Sequence, residues 1–391
     1  MQVNGRSVGQ TTAERYDGRV SRVGQARDTT ARAIAARTVD RALFSTRRAP
    51  LEEGIAYAEQ VSAFMLEQIE EALNSGAAAG IFDIKMTFAD EAIAVAFGDM
   101  PSDQVYDWLK QNNREAEVYE LTYKAVCHAL GRDLLEFAGV AIKAAKSGIW
   151  TPAFALLRKP FKENLFYLEW ILADPEDFYQ RFSSGDPAAL KVTPIPAQRK
   201  LQIIGGAIDA SGYPNWISAQ QMYDLRFNKQ SKLGLETFWQ KANHLITSDG
   251  AALRTEAENF NFVFSNNDSR ASQRHWFYGT VPILLFHSLQ VMEAMIAMFA
   301  RRAEPDIIPL RTLAGLFLWM RSAAYFIDLR PTPVRFGRII GKRIHAVRCD
   351  KCRSTCRLSI DSLAHLFNHG SLQCDACGCS VEPQARWPSS A

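Results

Sequence analysis

Six of the chain's seven cysteines fall between Cys349 and Cys379. They read Cys349-Asp-Lys-Cys352, then Cys356, then Cys374-Asp-Ala-Cys377-Gly-Cys379. A Cys-x-x-Cys turn aims two thiolates at one cation, and two such turns complete a tetrahedral four-sulfur set. That set suits Zn2+ and leaves no open coordination position, so the chemistry it implies is structural, not catalytic. The expected ligands are Cys349, Cys352, Cys374 and Cys377, with one zinc per chain. Cys356 and Cys379 are surplus to this set, as are His365 and His369, and any of them is chemically able to replace a ligand. Gly378 follows the second pair, where the backbone often needs positive φ, whereas Arg353 holds that place after the first. Disulfides in a secreted chain, an iron site or redox thiols are the alternatives. Met1 to Thr30 shows no apolar h-region, so a reduced, cytoplasmic setting is expected.

The spacing and the loop narrow the kind of module. The two pairs are separated by 21 residues, one beyond the ~15–20 of a zinc ribbon. The stretch Ser359-Ile-Asp-Ser362-Leu-Ala-His-Leu-Phe-Asn-His-Gly370 reads as a capped helix ending at glycine. The expectation is therefore a four-cysteine module of zinc-ribbon or treble-clef-like type. So small a unit buries too little surface to fold without its ion.

The rest of the chain must carry this module. Its 391 residues, 47% of them hydrophobic, allow two or three domains with a sizeable core. The fold expected is all-α: a mobile basic tail over 1–48, a bundle with long helices over 49–329, and a basic hinge with the metal module over 330–391. Ile55, Ala58, Val61, Met65 and Ile69 form a helical stripe between Leu51 and Asn74. Ile81 to Phe97 is expected to be helical despite a short alternating run. Ser102, as cap, opens a single helix to about Ser147, a rod ~65 Å long unless Gly131 or Gly139 bends it. Cys127 and His128 within it are expected to be a core thiol and a helix-packed histidine rather than a Cys/His catalytic pair, because neighbours on a helix point apart. Thr151-Pro152 opens a helix that Pro160 should kink before Asp174-Pro175 ends it. A Pro- and Gly-rich connector follows, with one short helix over Ala197 to Ala210. Later helices are expected over Ser218 to Ile246, His275 to Arg302 and Pro309 to Asp328. A basic strand over Arg335 to Val347 then leads into the first metal turn.

Charge is unevenly spread. Residues 1–48 hold ten Arg against four acids, and residues 330–391 hold ten Lys/Arg against four acids, +6 at each end. With a chain total of +3, residues 49–329 carry −9. Basic ends suit nucleic acid, an acidic membrane surface or an acidic protein patch. Self-association of basic ends with the acidic body, as in a homodimer, is equally compatible. Val281 to Ala300 is the most apolar window, but His287, Gln290 and Glu293 within it argue for a buried helix rather than a membrane span.

At Arg158 to Trp170 and Trp239 to Thr247 the chain resembles bacterial helical proteins of the HEPN-like type. The features are Arg158 with Glu163 ahead of regular Leu and Trp packing, and Trp239-Gln-Lys-Ala-Asn243-His244 near the end of a later helix. The resemblance covers roughly residues 100–300. It implies an all-helical fold and, for many members, metal-independent ribonuclease activity in defence or toxin systems. The family mark is Arg, a polar residue, three variable residues, then His. Arg270-Ala-Ser-Gln-Arg-His275 has that length, with Ala271 in place of the polar residue, so Arg270 and His275 are the catalytic candidates. Arg338 to His345 fits a longer spacing. Such chemistry needs a base near the RNA 2′-OH and a cation on the phosphate. Arg158, Glu163 and His244 form a second candidate set, a buried polar cluster. No phosphate loop, G-x-S-x-G or H-E-x-x-H occurs. The functions that fit are a zinc-containing binding or regulatory protein contacting RNA or DNA through its basic ends, a HEPN-like ribonuclease, or a scaffold docking a protein through the metal module.

Overall fold

The stripe that begins at Leu51 forms α1 (Leu51–Ala78), with Ile55, Ala58, Val61, Met65 and Ile69 all buried. Glu52 and Glu53 sit in its first turn, where the helix dipole favours acids. The structure is a computed structural model that describes residues 51–211, 216–231, 234–248, 254–262, 266–300, 307–322, 340 and 347–383. The tail 1–48 and most of the basic segment 330–346, with Arg338 and His345, lie outside the described residues. Helices dominate, and the chain divides into two compact units. The division falls inside one helix, between Leu318 and Trp319.

In the larger unit several expected helices change their limits. The helix expected over Ile81 to Phe97 starts only at Glu91, as α2 (Glu91–Gly98). Asp90 caps it, its carboxylate accepting from the Ala92 N–H at 2.7 Å. The single rod from Ser102 is two helices, α3 (Ser102–Gln111) and α4 (Glu115–Lys146). Ser102 is the first helical residue and not its cap, which is Pro101. The break comes at Asn113, whose φ of 55° is left-handed, a region asparagine tolerates better than most residues. Gly131 and Gly139 lie inside α4 instead. At Gly131 a Cβ would stand 2.8 Å from Met292 Cε, so the missing side chain serves close packing. Cys127 is fully buried and its thiol is pushed up to about 12 by that burial. His128 packs on Phe82 with ring centroids 4.8 Å apart.

Pro160 does not break its helix. α5 (Trp150–Lys159) passes into a π-helical turn, Pro160–Asn164, and continues as α6 (Leu165–Ala173). The Leu165 N–H reaches back five residues to the Pro160 carbonyl, so the ladder widens by one residue in the turn that begins at the proline. After α7 (Pro175–Phe182), the short helix in the connector is α8 (Ala197–Ala210), with the limits expected. The segment Ser218 to Ile246 holds two short helices, α9 (Ala219–Arg226) and α10 (Glu236–Asn243). α11 (Asn267–Phe299) starts eight residues before His275, because the Asn266 side chain caps it by accepting from the Ser269 N–H at 2.8 Å. It packs along α1 and also meets α6. α11 is long and apolar enough to cross a membrane, yet 78% of its most apolar window is buried inside the protein.

Polar residues of these apolar helices meet in the core. Glu169 on α6, Arg226 on α9 and His287 on α11 are all fully buried. Arg226 Nη2 donates to both Glu169 oxygens at 2.7 and 2.8 Å, and its Nη1 donates to the Phe161 carbonyl at 3.2 Å. His287 Nε2 lies 2.7 Å from Glu169 Oε1. A carboxylate only accepts, so His287 holds its proton on Nε2. Burial alone would raise the Glu169 pKa, but the Arg226 charge and the His287 hydrogen bond outweigh it and hold the carboxyl below its usual range. Nearby in the chain, Lys162 of the π turn pairs with Glu236 of α10 at 2.6 Å.

The smaller unit, so far as it is described, comprises residues 307–318, 340 and 347–383. It contains most of α12 (Ile308–Ser322), α13 (Ile360–His369) and one antiparallel pair, β1 (Leu372–Gln373) with β2 (Ser380–Val381). α13 is the helix expected between the cysteine pairs. Ser359 and Ser362 form a reciprocal cap at its start, and Gly370 ends it with φ 73°. Arg311 of α12 donates to the Phe367 carbonyl at 3.0 Å and the Asn368 carbonyl at 3.4 Å. It thereby satisfies carbonyls that the last turn leaves open.

Candidate metal centre

The two cysteine turns are built on one backbone plan. In the first, the Cys349 N–H donates to the Ser354 carbonyl at 2.9 Å and the Arg353 N–H to the Cys349 carbonyl at 2.8 Å. In the second, the Cys374 N–H donates to the Cys379 carbonyl at 2.9 Å and the Gly378 N–H to the Cys374 carbonyl at 2.8 Å. The residue after each pair is left-handed, with φ of 60° at Arg353 and 71° at Gly378. Flanking residues match as well. Arg348 bridges Thr355 and the Cys356 N–H bonds the Val347 carbonyl, just as Gln373 pairs with Ser380 and Leu372 with Val381. Each hairpin contributes two thiols to one cluster.

The hairpins bring the four expected ligands together. Sγ atoms of Cys349, Cys352, Cys374 and Cys377 all lie within 4.8 Å of one another. Cys349 to Cys377 is 3.5 Å and Cys352 to Cys374 is 3.6 Å. A tetrahedron with metal–sulfur bonds of ~2.3 Å has edges of about 3.8 Å, so these two separations lie just inside a tetrahedral edge and the spacing suits a metal ion. Hydrogen bonds from the Ser354 hydroxyl and amide favour the Cys352 thiolate, which is pulled down to about 6. The Ala376 and Cys377 amides also lower Cys374. The Cys379 amide favours the Cys377 thiolate, but the neighbouring Cys349 and Cys352 thiols outweigh it and push Cys377 up. Sulfurs this close cannot all ionise without a cation among them.

The surplus cysteines are outside the set for a positional reason. Cys356 takes the place in the first hairpin that Val381 takes in the second, and Cys379 takes the place of Ser354. Neither belongs to the four sulfurs that converge, although the Cys356 thiol touches Cys374. Burial pushes the Cys356 thiol up to about 12, with the neighbouring Cys374 adding to the effect. Arg353 is the less suited of the two left-handed residues, because a Cβ in that region costs ~1–2 kcal/mol. Arg353→Gly is expected to tighten metal binding about fivefold, near 1 kcal/mol after the entropy of the more flexible unfolded chain is deducted. Competition against a chelator measures this.

The other sequence candidates are placed less closely. Arg158 and Glu163 pair at 2.8 Å, but at the surface, with side chains 34% and 37% exposed. His244 is exposed at the C-terminal end of α10, where its carbonyl accepts from Asn261 at 2.8 Å. Arg270 is exposed and His275 half-buried, both in the first three turns of α11. Five positions on one helix turn their side chains about 140° apart. The buried charged network lies elsewhere among the described residues, at Glu169, Arg226 and His287 and at the Lys162–Glu236 pair. One signal for them was on view: a lone His287 and Glu169 in apolar helical windows must have partners.

Comparison with family models, with curated proteins and with solved structures finds no match to this chain.

Proposed function

We propose that this is a zinc-containing binding protein, whose four-cysteine module is a closed structural centre of ribbon-like type and whose basic segments contact nucleic acid. The observation that carries the metal is the convergence of four Sγ atoms from two matched hairpins. Four thiolates suit Zn2+ over harder cations, and a closed set has no position for substrate. The binding role is supported by charge. Arg348, Lys351, Arg353 and Arg357 are all exposed on or beside the first hairpin, against a single acid there, Asp350. They continue the positive segment that begins at Arg330. Lys and Arg displayed in this way neutralise phosphates and release counterions.

The test is retention of single- and double-stranded oligonucleotides over a salt series. Affinity is expected to fall steeply between 50 and 200 mM salt, with a log–log slope of about −0.9 per phosphate neutralised. Replacing Arg348, Lys351, Arg353 and Arg357 with Gln should flatten the slope by up to about 3–4 units without loss of the metal. A curve flat across that range rejects nucleic acid and leaves protein docking as the role. Cleavage of RNA without added metal, lost in His275→Ala, would instead identify a ribonuclease.

A further inference from the structure

α13 carries two histidines one turn apart, and neither belongs to the cysteine set. His365 and His369 are four positions apart, so they lie on one face, and their ring centroids are 4.6 Å apart. His369 is exposed and His365 half-buried, so the pair opens to solvent. The His365 Nδ1 is 2.8 Å from the Ser371 carbonyl. A carbonyl oxygen cannot donate, so Nδ1 carries the proton and donates it. Neutral His365 therefore presents Nε2 as a bare lone pair. Metal-binding histidines are oriented in this way, with the far ring nitrogen donating to a carbonyl or carboxylate. The capped start of α13 and the left-handed Gly370 at its end fix the helix that sets the spacing.

We propose that His365 and His369 form a second, exchangeable site for a divalent transition-metal cation on the outer face of α13. Imidazole suits Zn2+, Ni2+ and Cu2+, and excludes the hard Mg2+ and Ca2+, which need oxygen. Metal–nitrogen bonds of ~2.0–2.1 Å put two ligand nitrogens about 3.3 Å apart. Rings with centroids 4.6 Å apart reach this by rotation of the exposed His369 ring. Two protein ligands leave the remaining positions to water or an outside donor, so this ion exchanges freely, unlike one enclosed by four thiolates. The site is independent of which ion the cysteines hold.

The experiment uses the full chain, saturated with Zn2+ and then desalted, and titrates it with further Zn2+ by calorimetry. One additional equivalent per chain is expected, with ring resonances of two histidines shifting together in nitrogen-edited NMR. Losing a hydrogen-bond partner of a ligand already costs about tenfold in affinity, so losing the ligand itself costs at least that. His369→Ala, at an exposed position, should thus weaken the second uptake by at least about tenfold and leave the first equivalent bound. His365→Ala should do the same, while His244→Ala, also exposed, should change nothing. Absence of a second equivalent overturns the site. So does an uptake that His369→Ala and His365→Ala leave unchanged, which would mark adventitious binding elsewhere.

Discussion

Cys374→Ser is expected to release the metal and unfold residues 347–383, while the larger unit keeps its own transition. Structural zinc in small modules contributes an apparent ~10–16 kcal/mol, far more than the two-strand pair and one short helix within residues 347–383 could replace. Cys374 is a buried member of the four-sulfur cluster, and its amide also closes the second turn onto Cys379, so its loss would strike both the proposed site and the turn. The damage should extend to residues 307–318, because Arg311 is tied to the carbonyls at the end of α13. Cys356→Ser should retain the metal, since Cys356 stands where the second hairpin has Val381. Elemental analysis and hydrogen exchange of both variants measure this. Equal metal loss in the two, or a wild-type protein without zinc, would mean that the ligand set is wrong.

Glu169→Ala should destabilise the larger unit by about 3–5 kcal/mol, a large fraction of the ~5–15 kcal/mol typical of a folded domain. The cause is less the lost ion pair than what remains, an Arg226 guanidinium with no exposure and no counter-charge. Replacing Glu169 and Arg226 together with Leu and Met should recover much of that loss, as buried pairs often exchange for apolar residues at little cost. The sign with pH follows from the lowered Glu169 pKa. Its contribution is full above the ordinary carboxylate value of about 4.3 and is lost as pH falls through the lower folded value. Denaturant titration at pH 7 and pH 3 should therefore show the gap between wild type and Glu169→Ala narrowing in acid. A gap that stays constant would place the carboxylate's energy elsewhere.

Local chemistry was legible where it was complete within a few residues. The stripe of α1, the proline-bounded α8 and the Ser359 to Gly370 helix each carry their own start, period and stop. The convergence of Cys349, Cys352, Cys374 and Cys377 was legible because Cys-x-x-Cys spacing is itself a geometry. The left-handed Arg353 was not, because hairpin bonds from Cys349 and Cys356 impose a conformation that arginine does not prefer. The break at Asn113 was hidden by continuous apolar periodicity on both sides. The buried network was hidden for a different reason. Glu169 and Arg226 are 57 residues apart, and His287 is 118 from Glu169. Arg158 and Glu163 were close in sequence and drew attention, yet their pair is at the surface.

The turn at Pro160–Asn164 bears on how much the chain can vary in length. A five-residue step in the ladder takes up one residue more than an α-helix would over the same span. The extra residue is taken up within the turn itself, between the last residue of α5 and the first of α6. Added or removed anywhere between Leu165 and Leu168, a residue would swing Glu169 by about 100° away from Arg226. Between Arg158 and Glu169 the one widened turn is the stretch that also delivers Lys162 to Glu236.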